Sequence, residues 1–306
     1  MLRKLVFIGL VCVTIAMQGF TQPPTNTQTP RDGAWDKMRH TEKRPIEYAP
    51  VREADVLWHK RVWREIDVRE KMNQPLYFPP SPSGGMRNLM QVILDGIASG
   101  DITPYSIDTD DFTMPFKVDE TIARAYQYRS EESRDSVMYY SLMKELQPSE
   151  PRTLQRPTPP YEEYDTVITI PFSTSEVYHF RIKEDWFFDA KRSVLEVRIL
   201  GICPVRQNID PITGIVRGTT PLFWIYYPDV RDIFVNAPVY NRQNDAQRMS
   251  YDDLFIRRFF SSNIYKASNV NDLRISEYIT DEMEALLEGE RIKEEIRNFE
   301  HDLWEY

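Results

Sequence analysis

Histidine, cysteine and clustered carboxylates are the side chains from which a catalytic or metal site is built, and their spacing here works against one. His40, His59, His179 and His301 each stand alone. No two have the separation of a zinc pair, and no second cysteine joins Cys203 once Cys12 is assigned to an apolar leader. His179 alternates with apolar neighbours, which suits a structural role. No G-x-S-x-G elbow is present, and the 11 glycines form no phosphate-cradling loop. Asp108-Thr109-Asp110-Asp111 opens like a calcium loop. However, Phe112 takes the fifth ligand position, and the required Gly and terminal Glu are missing, so these read as solvated loop acids. Glu162, Glu163 and Asp165 flank a linker and a strand start, where charge is ordinary. The expectation is no enzyme, no catalytic residue, no cofactor and no metal.

One constellation remains. Glu184, Asp185 and Asp189 enclose Trp186-Phe187-Phe188. It can be read as a carboxylate pair in an apolar cleft, as an aromatic anchor rimmed by charge, or as a hairpin loop folded onto a sheet. Val177–Ile182 and Val194–Ile199 alternate large and polar residues, the period of half-buried strands, and would hold it from either side. Leu222–Tyr227 is aromatic and continuous, as in a central strand, and Pro228 fits the first position of a short helix.

The remaining elements follow from periodicity. Trp58, Val62 and Ile66 recur every four residues, predicting an amphipathic helix over Glu53–Asp67. Leu89, Ile93 and Ile97 predict a second helix over Leu89–Ala98. Asp119–Leu146 reads as a long polar helix, and Ser250 caps a helix that carries Asp253 in its first turn. Glu277–Trp304 reads as a terminal amphipathic helix, with an apolar stripe of Ile279, Met283, Leu286, Ile296, Phe299 and Leu303. Five prolines over Gln147–Pro160 predict a semi-rigid spacer. The expected fold is α+β, an antiparallel aromatic-rich sheet with flanking helices. Its expected organisation is a signal peptide over 1–21, a proline-rich arm over 22–50, a mainly helical domain over 51–147, the linker over 148–160, an α+β domain over 161–275 and the C-terminal helix over 276–306.

Arg3 and Lys4 ahead of the apolar run Leu5–Met17, which falls short of the roughly 20 residues a bilayer span needs, predict secretion. Cleavage there takes the formal charge from -9 to -11, and an acidic chain does not seek nucleic acid. Cys203, alone and in an apolar strand, reads as a small buried hydrophobe.

There is also an internal echo. Asp67-Val68-Arg69-Glu70 followed by Asn73-x-Pro75-Leu76-Tyr77 is matched by Asp229-Val230-Arg231-Asp232 followed by Asn236-x-Pro238-Val239-Tyr240. The shared order suggests a duplication, two units each presenting a similar surface.

Four motifs in order, Glu184–Asp189 (E-D-W-F-F-D), Arg198–Val205 (R-I-L-G-I-C-P-V), Phe223–Asp229 (F-W-I-Y-Y-P-D) and Asn244–Ser250 (N-D-A-Q-R-x-S), resemble the GldN/PorN family of the Bacteroidota. That resemblance covers nearly the whole chain after the leader. It implies a periplasmic, non-enzymatic structural subunit of the gliding-motility and type IX secretion machinery, held peripherally at the outer membrane. Implied partners are a GldK/PorK-type lipoprotein, the periplasmic region of a GldL/GldM-type motor, and further copies of itself in a ring, with no direct membrane insertion. On that reading Trp186, Phe187, Phe188, Asp185 and Asp189, with Tyr77 and Tyr240 of the two echoing turns, are the expected contact residues. The rival classes are a type IX cargo protein, disfavoured by the charged helical C-terminus, and a periplasmic enzyme with an unrecognised site.

Overall fold

Two long antiparallel strands carry the molecule, Val56–Asp67 (β1) and Val177–Asp189 (β5), in a computed structural model that describes residues 43–126, 132–147, 149–155, 163–169, 172–209, 216–241 and 249–303. The leader, most of the proline-rich arm and the Asn244–Arg248 part of the fourth motif lie outside the described residues.

β1 replaces the helix expected over Glu53–Asp67. A spacing of four satisfies a strand's period of two as well as a helix's turn, so Trp58, Val62 and Ile66 share one face either way. The strand interpretation is completed by Lys60 and Arg64 between them, whose charges find partners across that face in Glu295 and Glu184. β5 likewise runs straight through the stretch expected to be a loop. Arg181, Glu184 and Asp185 pair across to β1 instead of turning to solvent, and only residues 190–193 connect β5 to Val194–Ile209 (β6).

The sheet's order is β11-β1-β5-β6-β8-β2, where β2 is Pro104–Tyr105, β8 is Trp224–Tyr226 and β11 is Asn263–Ala267. A further strand, Val216–Pro221 (β7), pairs with β6, and every pairing is antiparallel. The architecture is α+β as expected. The aromatic run Leu222–Tyr227 supplies only the three residues of β8, between β6 and β2, because the chain turns into helix at Tyr227 with Pro228 in its first turn. The expected spacer contains a strand: Ser149–Gln155 (β3) pairs with Glu163–Thr169 (β4). β1 and β2, from before that segment, share the main sheet with strands from after it.

The helices are α1 (Gln74–Tyr77), α2 (Leu89–Ser99), α3 (Glu120–Tyr126), α4 (Glu132–Leu146), α5 (Tyr227–Phe234), α6 (Tyr251–Ile256), α7 (Ile275–Tyr278) and α8 (Glu282–Asp302). α2 forms where its apolar periodicity predicts it, held at its start by a reciprocal Asn88–Gln91 capping box. Ser250 caps α6 in the same way with Asp253. Of the stretch expected to be one long polar helix, Glu120–Tyr126 (α3) and Glu132–Leu146 (α4) are helical, and residues 127–131 between them lie outside the described residues.

Ile66, Phe180, Ile182 and Ile202 of the sheet bury against Leu89, Ile93 and Ile97 of α2 and against the rings of Tyr227, Phe234 and Phe255 on α5 and α6. Each such aliphatic side chain contributes about 1.5–3 kcal/mol on burial. A smaller core joins Val62 and Ile264 to Ile292 and Ile296 of α8, and Trp58 stacks on Phe299 with ring centres 4.5 Å apart. Gly289 lets α8 approach the edge strand: a Cβ there would stand 2.7 Å from the Ile264 carbonyl oxygen. The first turns of α8 depart from the predicted stripe. Met283 and Leu286 are exposed, and the buried positions of α8 are Gly289, Ile292 and Ile296.

The echoing segments have unlike backbones. Asp67 ends β1 and Gln74–Tyr77 is helical, whereas Asp229–Asp232 lies within α5 and Pro238–Val239 is a short strand (β9) paired with Met249–Ser250 (β10). The expected duplication is therefore absent from the backbone. Proline tolerates both settings, the first turn of a helix and the start of a strand.

Candidate protein-binding face

Alternation along β1 and β5 sorts their side chains onto two faces. On one, the register sets Arg61 opposite Asp185, Trp63 opposite Lys183, Glu65 opposite Arg181 and Asp67 opposite His179. Arg61–Asp185 and Arg181–Glu65 are cross-strand ion pairs, so this face carries a charge ladder, the sheet counterpart of helix ion pairs. Arg61 donates to Asp185 through Nε at 2.6 Å and Nη2 at 3.0 Å, and His59 Nε2 lies 3.2 Å from the same carboxylate. Burial pushes the Asp185 pKa up, but the Arg61 hydrogen bonds and the charges of Arg61 and His59 outweigh it and hold the pKa below its ordinary value. Farther along, Arg181 Nε donates to Glu65 at 2.9 Å and its guanidinium lies over Tyr265.

The loop after β2 closes the middle of this face. Asp110 accepts from Trp63 Nε1 at 2.7 Å, and Lys183 Nζ donates to the Asp110 carbonyl at 2.6 Å. Phe112 sits on Gly201, where a Cβ would be 2.3 Å from its ring. Asp110 is thus a structural latch, not the solvated acid its sequence suggests. Cys203, directly opposite Arg181, is fully buried, and burial pushes its thiol up to about 12, so it behaves as the small hydrophobe expected.

The opposite face holds a fully buried carboxylate. Glu184 accepts from Arg258 at 2.9 and 3.1 Å and from Trp186 Nε1 at 3.1 Å, and Arg64 Nε stands 3.4 Å away. Arg258 sits just past α6 at φ 55°, the left-handed position usually given to glycine; Phe259 N bonding back to Leu254 O closes that helix end. The position aims its guanidinium at Glu184, and the clamp ties β5 to β1 and to the end of α6.

The expected contact residues are therefore not one cluster. Asp185 belongs to the charge ladder. Trp186 lies on the opposite face beneath Arg64 and Arg258. Phe187 and Phe188 are buried on opposite faces, with Arg198 over the Phe187 ring. Asp189 is buried and organises the following turn, accepting from Lys191 N and from Arg192 Nε. Tyr77 is half-buried and stacked on Tyr178, and Tyr240 is 38% exposed.

Sequence reading missed the residues with the strongest internal partners: Arg64, Lys183, Arg258 and the pair Arg231–Asp252. Arg231 Nε donates to Asp252 at 3.0 Å, and so does the Tyr227 hydroxyl. Tyr48, from the last stretch of the expected arm, lies over the Arg231 guanidinium at 4.4 Å. The arm's end is thus fixed to the body, and Arg198 donates to the Ala49 carbonyl beside it. One clue was present in β1, whose Val, Trp and Ile content favours strand over helix.

Among the described residues, no helix is long and apolar enough to cross a membrane. Residues 51–305 match the family model described as "Gliding motility associated protein GldN". No curated protein matches the chain.

Proposed function

Since the chain belongs to the GldN family of gliding-motility-associated proteins, we propose that it is a non-enzymatic structural subunit of the type IX secretion machinery. Membership ties it to gliding motility and type IX secretion. The finer reading is that it resides in the periplasm, forms a ring of its own copies with a GldK/PorK-type outer-membrane lipoprotein, and meets the periplasmic region of a GldM-type motor. The observation that carries this is the family match running from the start of the folded body to its C-terminal helix. In support, the charged side chains of the main sheet are committed to one another in ladders and clamps, as suits a rigid body that works by docking. Contact is assigned first to the exposed Tyr240 and the half-buried Tyr77. Asp185, Trp186, Phe187, Phe188 and Asp189 are assigned to holding the sheet.

Osmotic-shock fractionation followed by mild-detergent co-purification tests the reading. A ring subunit stays with a membrane-bound lipoprotein complex. Recovery of the chain alone in the shock fluid, or outside the cell as cargo, overturns it, and so does turnover of a small molecule by the isolated protein.

A further inference from the structure

At the open end of the charge ladder, between β1, β11 and the α7–α8 corner, lies a cavity of about 610 Å³. Four carboxylates line it, Glu65, Asp67, Glu70 and Glu282, and no lysine or arginine does among the described residues. Two are partly engaged already: Asp67 holds Arg69, and one oxygen of Glu65 holds Arg181. Glu70 and Glu282 form no ion pair among the described residues. A second observation points to a ligand. His179 lines the cavity while only 9% exposed, and among the described residues its Nδ1 has no hydrogen-bond partner; Glu65 Oε1 lies 3.6 Å off, too far to supply one. A buried polar atom left without a partner is costly. Beside the acids, Leu286 of α8 lines the cavity while 52% exposed, and Met283, three residues earlier on the same helix, is 64% exposed.

We propose that this cavity receives a lysine or arginine side chain from a segment of a partner protein whose apolar neighbour rests on Leu286. The arriving cation donates to Glu65 Oε1 and to His179 Nδ1, satisfying both, while Glu70 and Glu282 provide the attracting charge. A metal ion is a poorer occupant, since no three His, Cys, Asp or Glu side chains among the described residues are placed to hold one. This inference rests on the assembly reading above and adds to it where one contact is made and with what chemistry.

The test places a photo-cross-linking amino acid at Met283 of the full chain in cells, leaving Leu286 in place. Irradiation is expected to join the chain to a second protein within a few residues of a lysine or arginine. The double reversal Glu70→Lys with Glu282→Lys is expected to reduce that product about tenfold or more, because it sets like charges against each other. Reversing the identified partner residue to glutamate should restore the product. Glu300→Lys, on the exposed side of α8 away from the cavity, should leave it unchanged, and an unaltered unfolding midpoint shows that the double variant is folded. A cross-link indifferent to the double reversal, or one to a segment without a basic residue, overturns the proposal. Absence of any cross-link while the wild-type chain still co-purifies with the envelope complex overturns it too, and leaves the assembly reading standing. A wild-type chain that co-purifies with nothing brings down both.

Discussion

Asn73 and Asn236 occupy matching places in two segments whose backbones differ, and they do the same work. Asn73 donates from Nδ2 to the Ser261 carbonyl and accepts from Ser261 N; Asn236 donates to the Lys43 carbonyl and accepts from Lys43 N. Each side-chain amide mimics one rung of a strand ladder to a distant piece of chain. Each also donates to a carbonyl of its own segment, Asp67 O or Asp232 O. The neighbouring apolar positions agree as well: Val68 and Val230 are buried, and so are Leu76 and Val239. The arginines part company. Arg69 is exposed and pairs with Asp67 two residues back, while Arg231 is buried against Asp252 of another helix. Like sequence has kept the side-chain roles that need only a nearby backbone, and lost the role that depends on what lies opposite.

The largest effect should come from the buried arginine. Arg231→Ala leaves Asp252 enclosed without its cation, and breaking a buried pair in this way costs about 3–5 kcal/mol. Urea unfolding should show a large fall in midpoint. A loss under about 1 kcal/mol, within the range of exposed pairs, would mean that Arg231 resembles Arg69 after all.

Next comes the buried clamp. Asn73→Ala strands the Ser261 N–H and two carbonyls away from water, a loss of about 2–3 kcal/mol. Hydrogen exchange at the Ser261 amide should rise along with the fall in stability. Asn236→Ala removes the same bonds at an exposed site, where water replaces them, and should cost about 0.5–1 kcal/mol. Its signature is local: trypsin should cut after Lys43 faster, while the global unfolding midpoint hardly moves. Equal losses for the two asparagines would erase the distinction between clamping the body and clamping the arm.

How much of this was legible in advance depends on where each residue's partner sits in the chain. α2 and the α6 cap were readable because Leu89, Ile93 and Ile97, or Ser250 and Asp253, settle the matter within a turn or two of one another. Pro228 marked a helix start for the same reason. The charged stretch Lys183-Glu184-Asp185 looked like a loop because its partners, Asp110, Arg258 and Arg61, lie from 73 to 124 residues away. No local pattern announces that a glutamate will be enclosed by an arginine placed just beyond a helix end. β1 was misread because its spacing of four fits both periods, and only the strands on either side of it decide between them. The cavity at the α7–α8 corner was equally hidden, since Glu65 and Glu282 meet only through the fold.

The smallest effect, and the sharpest use of the comparison, lies with Arg69. Its ion pair is exposed, so Arg69→Ala should change stability by no more than about 1 kcal/mol. The change should nonetheless be visible at Asp67. Burial pushes that carboxyl up, while the hydrogen bonds from Arg69 and the charges of His179 and Arg69 bring it below its ordinary pKa. A depressed carboxyl contributes stability above its unfolded-state pKa of about 3.9 and loses it as pH falls through the lower, folded value. The wild-type and Arg69→Ala proteins should therefore differ slightly at neutral pH and converge in acid below both values. NMR titration of the Asp67 carboxyl should show its midpoint rising in the variant, as burial is left with less to oppose it. An unmoved midpoint would assign the depression to His179 across the strand pair. Asp67 would then belong to the cavity's electrostatics more than to its own turn, and the Asp–x–Arg likeness between the two segments would have no energetic content.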